Sequence, residues 1–504
     1  MDRHDRRASA FLALAAALYY AFCLPRLPFN FADEGYLYYV ADALGRGATP
    51  YRDVRLFGYL PGLFYLFAPL VRWRADEVLL ARGLMLAGLV VKTIVFYGCA
   101  RRFAGRGAAT AAAVVVLLVP GPWHKFYVGL LSLWVLHALI GVLERSGDSA
   151  RAAAHAGLAV GTAAVLRMDV AVTGAVLLVA ATAFPAWRSG RLDWPKLLVG
   201  PATAVGVTLP LQGLLLYQGV LTDWFRQWLG FAGLLARRSL PEARLPSPPP
   251  EALLHLDGGG ADAWIHYGAL AIVLAHLLLV ARRPSAVGWL TGFWAVAGVP
   301  QFAFERPDAA HLTQYSHAFL LPAAILADRV LGVLPRRRSR WAAGAAACLA
   351  AALFAGRHTT AGPWRRPAQS VVLANGFAYP AQAGESLRPI LETIVRESAP
   401  HEQIAALPFL PGVAFATRRR LHGRDVYLAP HAMTGPEFEA DYVRSLAASP
   451  PRFVVYQPAM SFNGKPSGRL EGFAPAVDAH LRAHFGVVAQ NGGLLLMEPL
   501  PASR

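Results

Sequence analysis

Over its first 356 residues the chain alternates long apolar runs with short charged connections, and then the pattern changes. A helix needs about 20 mostly apolar residues to cross a ~30 Å hydrocarbon core. Runs approaching that length cover 8–25, 78–100, 108–122, 124–143, 153–168, 170–186, 196–217, 264–281, 286–304, 315–334 and 341–356. The pattern predicts a polytopic α-helical membrane protein with about 11 transmembrane helices. At Arg167-Met168-Asp169, where two short runs meet, one long buried helix competes with two spans. Beyond residue 357 the helix-period stretches 385–398, 436–449 and 471–485 alternate with strand-like ones at 403–407, 452–457, 486–490 and 494–498. That alternation predicts a small C-terminal α/β domain. The expected division is 1–356 as a transmembrane domain carrying a large first loop, 26–77, and 357–504 as the α/β domain.

Composition agrees. Of 504 residues 55% are hydrophobic and 16% charged, whereas soluble chains carry about a quarter charged residues. The apolar content excludes disorder. The net charge of +17 raises a nucleic-acid partner, but the positive-inside rule accounts for most of it. With the N-terminus cytoplasmic, the connections Arg101–Arg106, Glu144–Arg151, Trp187–Lys196, Arg282-Arg283 and Pro335–Arg340 all fall inside, and each is short and basic. The expectation is a multi-pass protein of the bacterial inner (plasma) membrane, contacting lipid and no nucleic acid, with its C-terminal domain extracytoplasmic. Residues 8–25 follow Arg3, Arg6 and Arg7 as in a signal peptide, but no small-residue cleavage site follows, so they read as an uncleaved first helix. Cys23, Cys99 and Cys348 lie in apolar stretches and mark neither a disulfide framework nor a metal site. Leu245–Pro250 and Gly258–Gly260 mark a flexible loop.

Charges at a membrane edge are expensive, and five groups call for a reason. Asp33-Glu34 follows the first span; adjacent carboxylates suit a general base and a neighbour that tunes it, or simply a helix N-terminus. Tyr51-Arg52-Asp53 either shapes a turn through an Arg–Asp pair or offers a cation, with Tyr59 following it. The run Leu63–Val71 is too short to span and reads as a helix on the membrane surface. His124-Lys125 begins the fourth span; the lysine either snorkels or holds a phosphate. Arg167 and Asp169 are either an ion pair at a helix turn or part of a site. Arg306, Asp308 and His311 end the ninth span. The last two are a poor metal signature, while an arginine fork suits phosphate oxygens. The topology puts all five groups on one face. In the loop 218–240, Trp224, Trp228 and Phe231 form a lid over a lipid groove or an interfacial anchor.

Asp33-Glu34-Gly35, then Gly47–Asp53, then Gly58-Tyr59-Leu60-Pro61-Gly62 resemble the first external loop of bacterial GT-C glycosyltransferases of the protein-mannosyltransferase-like and aminoarabinose-transferase-like superfamily. Arg167-Met168-Asp169 looks like that group's Arg-x-Asp/Glu feature. Leu407–Gly412 and Ala416–Arg419 are similar to its periplasmic tail, although Arg418–His422 departs from the Arg-x-Asn-Pro of relatives. The resemblance implies a GT-C-like fold and transfer of a sugar, hexosyl or pentosyl, from a polyprenyl-phosphate donor to a glycan, lipid or protein acceptor. Asp33 would be the base and Glu34 its assistant. Arg52, Lys125, Arg167 and Arg306 would face the lipid phosphate, with His311 a secondary candidate, and no metal or other cofactor is expected. A transporter or flippase of lipid-linked saccharides is the alternative, and Lys92, inside a span, is the charge that favours it. A non-catalytic scaffold with a sugar-binding domain is a third reading, and it predicts that Asp33 is dispensable.

Overall fold

A computed structural model of the protein describes residues 2–56, 59–73, 76–144, 149–189, 194–236, 258–305, 309–333, 368–382, 384–430, 436–462 and 466–501. The run 341–356, the connection 335–340 and the stretch 245–250 lie outside the described residues. In chain order the first helices are α1 Arg3–Cys23, α2 Asp33–Gly45, α3 Pro61–Val71, α4 Glu77–Ala100, α5 Arg106–Leu118, α6 Phe126–Glu144 and α7 Ser149–Leu166. They continue as α8 Met168–Ser189, α9 Trp194–Tyr217, α10 Leu221–Ala236, α11 Gly258–Arg282, α12 Ala286–Val299, α13 Ala309–Gln314 and α14 His317–Val333. Arg167 separates α7 from α8, so the short runs form two helices rather than one. Gly258–Gly260, expected in a loop, instead opens α11.

The molecule divides into two compact units, and the division departs from the one the sequence suggested. The first unit comprises Met1–Leu24, Gly83–Gly213 and Glu242–Trp364; the second comprises Pro25–Arg82, Leu214–Pro241 and Arg365–Arg504. The first loop thus belongs with the C-terminal residues. Its aromatic side chains explain why, since Phe29, Phe31 and Tyr36 are buried against Phe377, Tyr379 and Tyr427.

The first unit is a helical bundle. Among the described residues, five helical stretches are long and apolar enough to cross a membrane: Arg3–Arg26, Glu77–Ala100, Trp123–Glu144, Leu197–Tyr217 and Ala263–Arg282. In α1, Leu12, Ala16, Tyr20 and Cys23 are buried at helical spacing, while Phe11 is 67% and Leu18 64% exposed. A helix apolar on its outward face as well as its inward one is surrounded by hydrocarbon. At one end of the bundle Asp5 binds Arg101 at 2.8 Å and Arg106 at 3.3 Å. At the same end the backbone N–H of Gly105 donates to Asp328 of α14 at 2.8 Å. The opposite end gathers the start of α6, the α7–α8 break, the end of α12 and the start of α14. There α12 gives way at Pro300 to a π-helical turn, Pro300–Glu305, and such turns often mark functional positions.

The second unit is built on a mixed sheet. Strands β1 Gln369–Val372 and β2 Ala378–Ala381 form an antiparallel hairpin. A five-stranded sheet has the order β4-β3-β5-β7-β6, with β3 Gln403–Leu407, β4 Arg420–Leu421, β5 Phe453–Tyr456, β6 Phe485–Asn491 and β7 Leu494–Pro499. Strand β3 pairs parallel with β4 and β5, and β7 runs antiparallel to β5 and β6. Helices Pro436–Ala448 and Pro475–His484 cover it, and Leu446, Val477 and Leu481 join Leu407, Val454 and Tyr456 in one core. The four strand-like stretches of the sequence are β3, β5, β6 and β7. The α3 helix, expected on a membrane surface, packs Leu63, Phe64, Phe67, Ala68 and Val71 inside this unit and leaves Leu66 45% exposed. Within the aromatic stretch 218–240, Leu221–Ala236 forms a helix, α10, rather than a loop, and Phe225 on it is half-exposed; 237–240 lie outside the described residues.

Candidate functional site

The second unit holds the adjacent acids. Asp33 opens α2, and the Asn30 Oδ1 accepts from the backbone N–H groups of Ala32 at 3.0 Å and Asp33 at 3.1 Å. This side-chain turn starts the helix at a fixed angle. Asp33 is half-buried in the first turn, where the helix dipole favours an ionised carboxylate. Glu34 is fully buried and faces a different environment. Arg82 grips it in a fork, Nε to Oε1 at 2.8 Å and Nη2 to Oε2 at 2.8 Å. The Tyr38 hydroxyl donates to Oε1 at 2.8 Å and the Asn30 N–H to Oε2 at 3.3 Å. The remaining Arg82 protons reach the carbonyls of Leu27 and Pro28. An ion pair so saturated anchors the loop, and the Glu34 carboxylate serves Arg82 rather than Asp33. Arg82 escaped the sequence reading, although a charge in the apolar run 78–100 was a signal.

Behind Asp33 two glycines meet. A Cβ on Gly35 would lie 2.4 Å from the Gly412 Cα, and the Gly412 N–H donates to the Phe31 carbonyl at 2.8 Å. Gly35 of the first-loop pattern and Gly412 of the Leu407–Gly412 stretch, more than 370 residues apart, are therefore in backbone contact. Tyr36 packs on Tyr59, Phe64 and Tyr427. In the run Arg418–His422 four residues have partners within the unit. Arg418 binds buried Glu77 at 3.0 Å. Arg419 reaches Ser398 and Val395 at the end of helix Leu387–Glu397. Leu421 N–H donates to the Tyr39 hydroxyl. His422 Nε2 lies 2.9 Å from the Ser445 hydroxyl, and burial pulls its pKa below the usual histidine value.

Arg52 and Asp53 are both exposed. Asp53 accepts from the Thr49 N–H at 2.7 Å, and Arg52 Nη2 donates to the carbonyls of Gln218 at 3.1 Å and Gly219 at 3.3 Å. Asp53 thus closes its own turn, while Arg52 ties that turn to the carbonyls after α9. Tyr51 sits at φ 67° in the left-handed region, buried, with its hydroxyl on the Tyr59 carbonyl at 2.9 Å and its own carbonyl accepting from Gln227. A bulky residue in that conformation stores strain.

In the first unit Arg167 and Asp169 form the pair considered from the sequence. Arg167 Nε lies 2.6 Å from Asp169 Oδ1, and Nη2 3.3 Å from Oδ2. The Tyr315 hydroxyl is 2.8 Å from Asp169 Oδ2, 3.2 Å from Arg167 Nη2 and 3.2 Å from Gln301 Oε1. Asp169, Gln301 and Tyr315 line a cleft of about 130 Å³ together with Trp294, His317 and Thr173. Tyr315, Gln301 and Trp294 were not singled out from the sequence, and only the spacing of polar residues around the Pro300 turn hinted at them. Lys92 is buried and donates to the Pro120 carbonyl at 2.8 Å, so the charge that favoured transport is held by the end of α5. His124 is buried and Lys125 half-buried in the short turn Trp123–Lys125 before α6. His311 is half-buried on α13, while Arg306 and Asp308 lie outside the described residues. Among the described residues no three His, Cys, Asp or Glu side chains converge as a metal site would require.

No family model matches the sequence, and no curated protein matches it. Solved structures do. The apo oligosaccharyltransferase of Archaeoglobus fulgidus matches with a TM-score of 0.58 at 12% identity, over 98% of this chain and 74% of that one. Apo ArnT from Cupriavidus metallidurans matches at 0.57 and 14% identity, over 98% of both chains. The same ArnT bound to undecaprenyl phosphate matches at 0.53 and 15% identity. The fold of this chain is the fold of this oligosaccharyltransferase and of ArnT, and the chain is a polytopic membrane protein. The resemblance drawn from the first-loop residues holds at the level of the fold.

Proposed function

We propose that the protein is a membrane glycosyltransferase that moves a sugar from a polyprenyl-phosphate donor to an acceptor hydroxyl, with inversion, on the extracytoplasmic face. The observation that carries this reading is the anchoring of Asp33. The sealed Glu34–Arg82 pair, the Asn30 turn and the Gly35–Gly412 contact fix α2 from three sides. They leave the half-buried carboxylate of Asp33 at a rigid helix start. The fold shared with polyprenyl-phosphate-binding ArnT supports the donor class.

The chemistry is one displacement. The acceptor oxygen bonds to the anomeric carbon, and the bond from that carbon to the phosphate oxygen breaks. The electron pair leaves with the polyprenyl phosphate, and Asp33 takes the acceptor proton. A single displacement inverts the anomeric centre. Cations lower the barrier by holding the charge that grows on the leaving phosphate; Lys125 is the described residue proposed first for that task, and Arg52 follows it, since its Nη2 already binds two carbonyls. Arg167 is the weaker candidate, because its fork already holds Asp169. The eleven-span topology, the cytoplasmic N-terminus and metal-independent turnover complete the reading. The basic end of the helical unit, with Arg101 and Arg106 on Asp5, would face the cytoplasm as the positive-inside rule requires.

The test is transfer of radiolabelled sugar from a synthetic polyprenyl-phosphate donor by the full chain in proteoliposomes. Asp33→Asn should lower the rate about 10²–10⁴-fold, the usual worth of a general base, with unchanged thermal stability. Full activity in Asp33→Asn would remove the assignment. Turnover in excess EDTA is expected, and loss of activity restored by a divalent cation would overturn the metal-free reading. Movement of labelled donor across the bilayer without transfer would support a flippase instead.

A further inference from the structure

The cleft of the first unit has a chemistry of its own. It is lined by Asp169, Gln301, Tyr315, Thr173, Trp294 and His317 among a few small apolar residues. Its volume of about 130 Å³ is close to that of an engineered cavity that takes one benzene ring, about 150 Å³. That is room on the scale of a single ring. Asp169, Val170 and Thr173 lie in the first turns of α8, and Trp294 near the end of α12. Gln301 follows on the π-helical turn, and His317 starts α14. The cleft therefore sits within about two helical turns of the bundle end opposite the basic one.

Charge decides what could enter. Among the described residues the lining holds one carboxylate and neither lysine nor arginine. Arg167 stands outside it and neutralises Asp169 at 2.6 Å. A phosphate would meet only a carboxylate and neutral dipoles, so it is disfavoured there. A polyol is favoured: carboxylate and amide oxygens accept from hydroxyls, the Gln301 amide N–H donates, and the indole of Trp294 offers apolar area to C–H faces. The polar groups are also pre-ordered. Tyr315 is tied to Asp169, Arg167 and Gln301 at once, and the Trp294 indole N–H is held by the Ser132 carbonyl at 3.3 Å. A cage with fixed hydrogen bonds binds with little further loss of side-chain freedom.

We infer that this cleft is the binding site for a single uncharged sugar ring, separate from whatever residues hold the lipid phosphate. The inference rests on the transferase reading for the source of that ring, the lipid-linked donor. Trp294, Gln301 and Tyr315 then set which sugar is accepted.

The test measures binding of two probes to the detergent-solubilised full chain: citronellyl phosphate, and the same lipid phosphate carrying a single hexose. The wild type should bind the glycosylated probe more tightly. Trp294→Leu and Gln301→Ala should each weaken that probe about tenfold, which is ~1.4 kcal/mol, and leave citronellyl phosphate unchanged. Thr173→Phe, which fills the cleft from its wall, should do the same. It guards against misfolding of the other two, and thermal unfolding of each variant identifies any that is not native. Equal weakening of both probes would make the cleft a phosphate site, and no effect in natively folded variants would overturn the inference. If the binding difference holds while the wild type transfers no sugar, the cleft stands and the transferase reading falls.

Discussion

Two of the molecule's arginine–carboxylate pairs, one in each unit, differ in burial and in what can reach them. Glu34–Arg82, in the second unit, is shut away: the side chains are 0% and 2% exposed, and both carboxylate oxygens accept more than one hydrogen bond. Arg167–Asp169, in the first, is 21% and 29% exposed and borders a cleft. A buried ion pair is costly to form and still costlier to break, because removing one partner strands the other charge. An open pair is cheap to break for stability, and water or a ligand replaces what is lost. The first pair therefore holds the loop that carries Asp33, while the second orders a surface that a ligand can reach.

The sharpest way to break the contrast is to delete one partner of each pair. Arg82→Ala strands Glu34 and should cost about 3–5 kcal/mol, read as a large fall in thermal midpoint or as loss of folded protein in detergent. Arg82→Lys should rescue only in part, since an ammonium cannot reproduce the fork on both oxygens. If Arg82→Ala unfolds at the wild-type temperature, the anchoring role assigned to the sealed pair is wrong.

Next in size is the contact behind Asp33. Gly412→Ala puts a methyl group 2.7 Å from the Phe31 backbone, and Gly35→Ala one 2.4 Å from that of Gly412. Backbone on both sides cannot yield as a flexible side chain would. Overpacking of this kind costs about 1–3 kcal/mol. Because the shift falls on the residues that place Asp33, transfer should drop further than stability alone explains. Transfer and unfolding measured on the same preparation separate the two effects.

The sequence showed the part of this arrangement that depends on local pattern. Apolar runs marked the helices, the break at Arg167 separated α7 from α8, and the alternation after residue 400 marked β3, β5, β6 and β7 within a residue or two of their bounds. Long-range partnership was beyond it. Nothing local tells Glu34 that its partner is Arg82 rather than Asp33, or Arg52 that it serves the carbonyls after α9 rather than Asp53. The same limit hid the grouping of the first loop with the C-terminal sheet, where Phe29, Tyr36 and Tyr39 find their partners on residues from 377 to 427. Tyr315 was invisible for the opposite reason: a single tyrosine at a helix start gains meaning only when Asp169 is 2.8 Å away.

For the open pair the expected loss is smaller. Asp169→Asn keeps the shape of the side chain and removes its charge. The pair is part-exposed, so the stability cost should be about 1 kcal/mol or less. The cleft, however, would then lie beside an uncompensated Arg167. Affinity for citronellyl phosphate should rise relative to the glycosylated probe, reversing the wild-type order. A stability loss as large as that of Arg82→Ala would show that the two pairs do the same work.

The smallest effect lies away from both pairs, in the sheet unit. His422 is buried with Nε2 on Ser445, and burial holds its pKa below the ordinary 6.5. The folded state therefore keeps the imidazole neutral at pH values where the unfolded chain already binds a proton. A group of this kind contributes its full stability above about pH 6.5 and loses it as pH falls from there through the folded pKa. Asp425 has its pKa raised by burial against the opposing pull of Arg55, so its contribution runs the other way: present at low pH and lost as pH rises through its folded value. Unfolding midpoints at pH 7 and pH 5 should fall for the wild type, and fall less for His422→Gln, whose amide still reaches Ser445 and does not titrate. An equal fall in both proteins would place the acid sensitivity in other groups and leave the His422–Ser445 contact as packing alone.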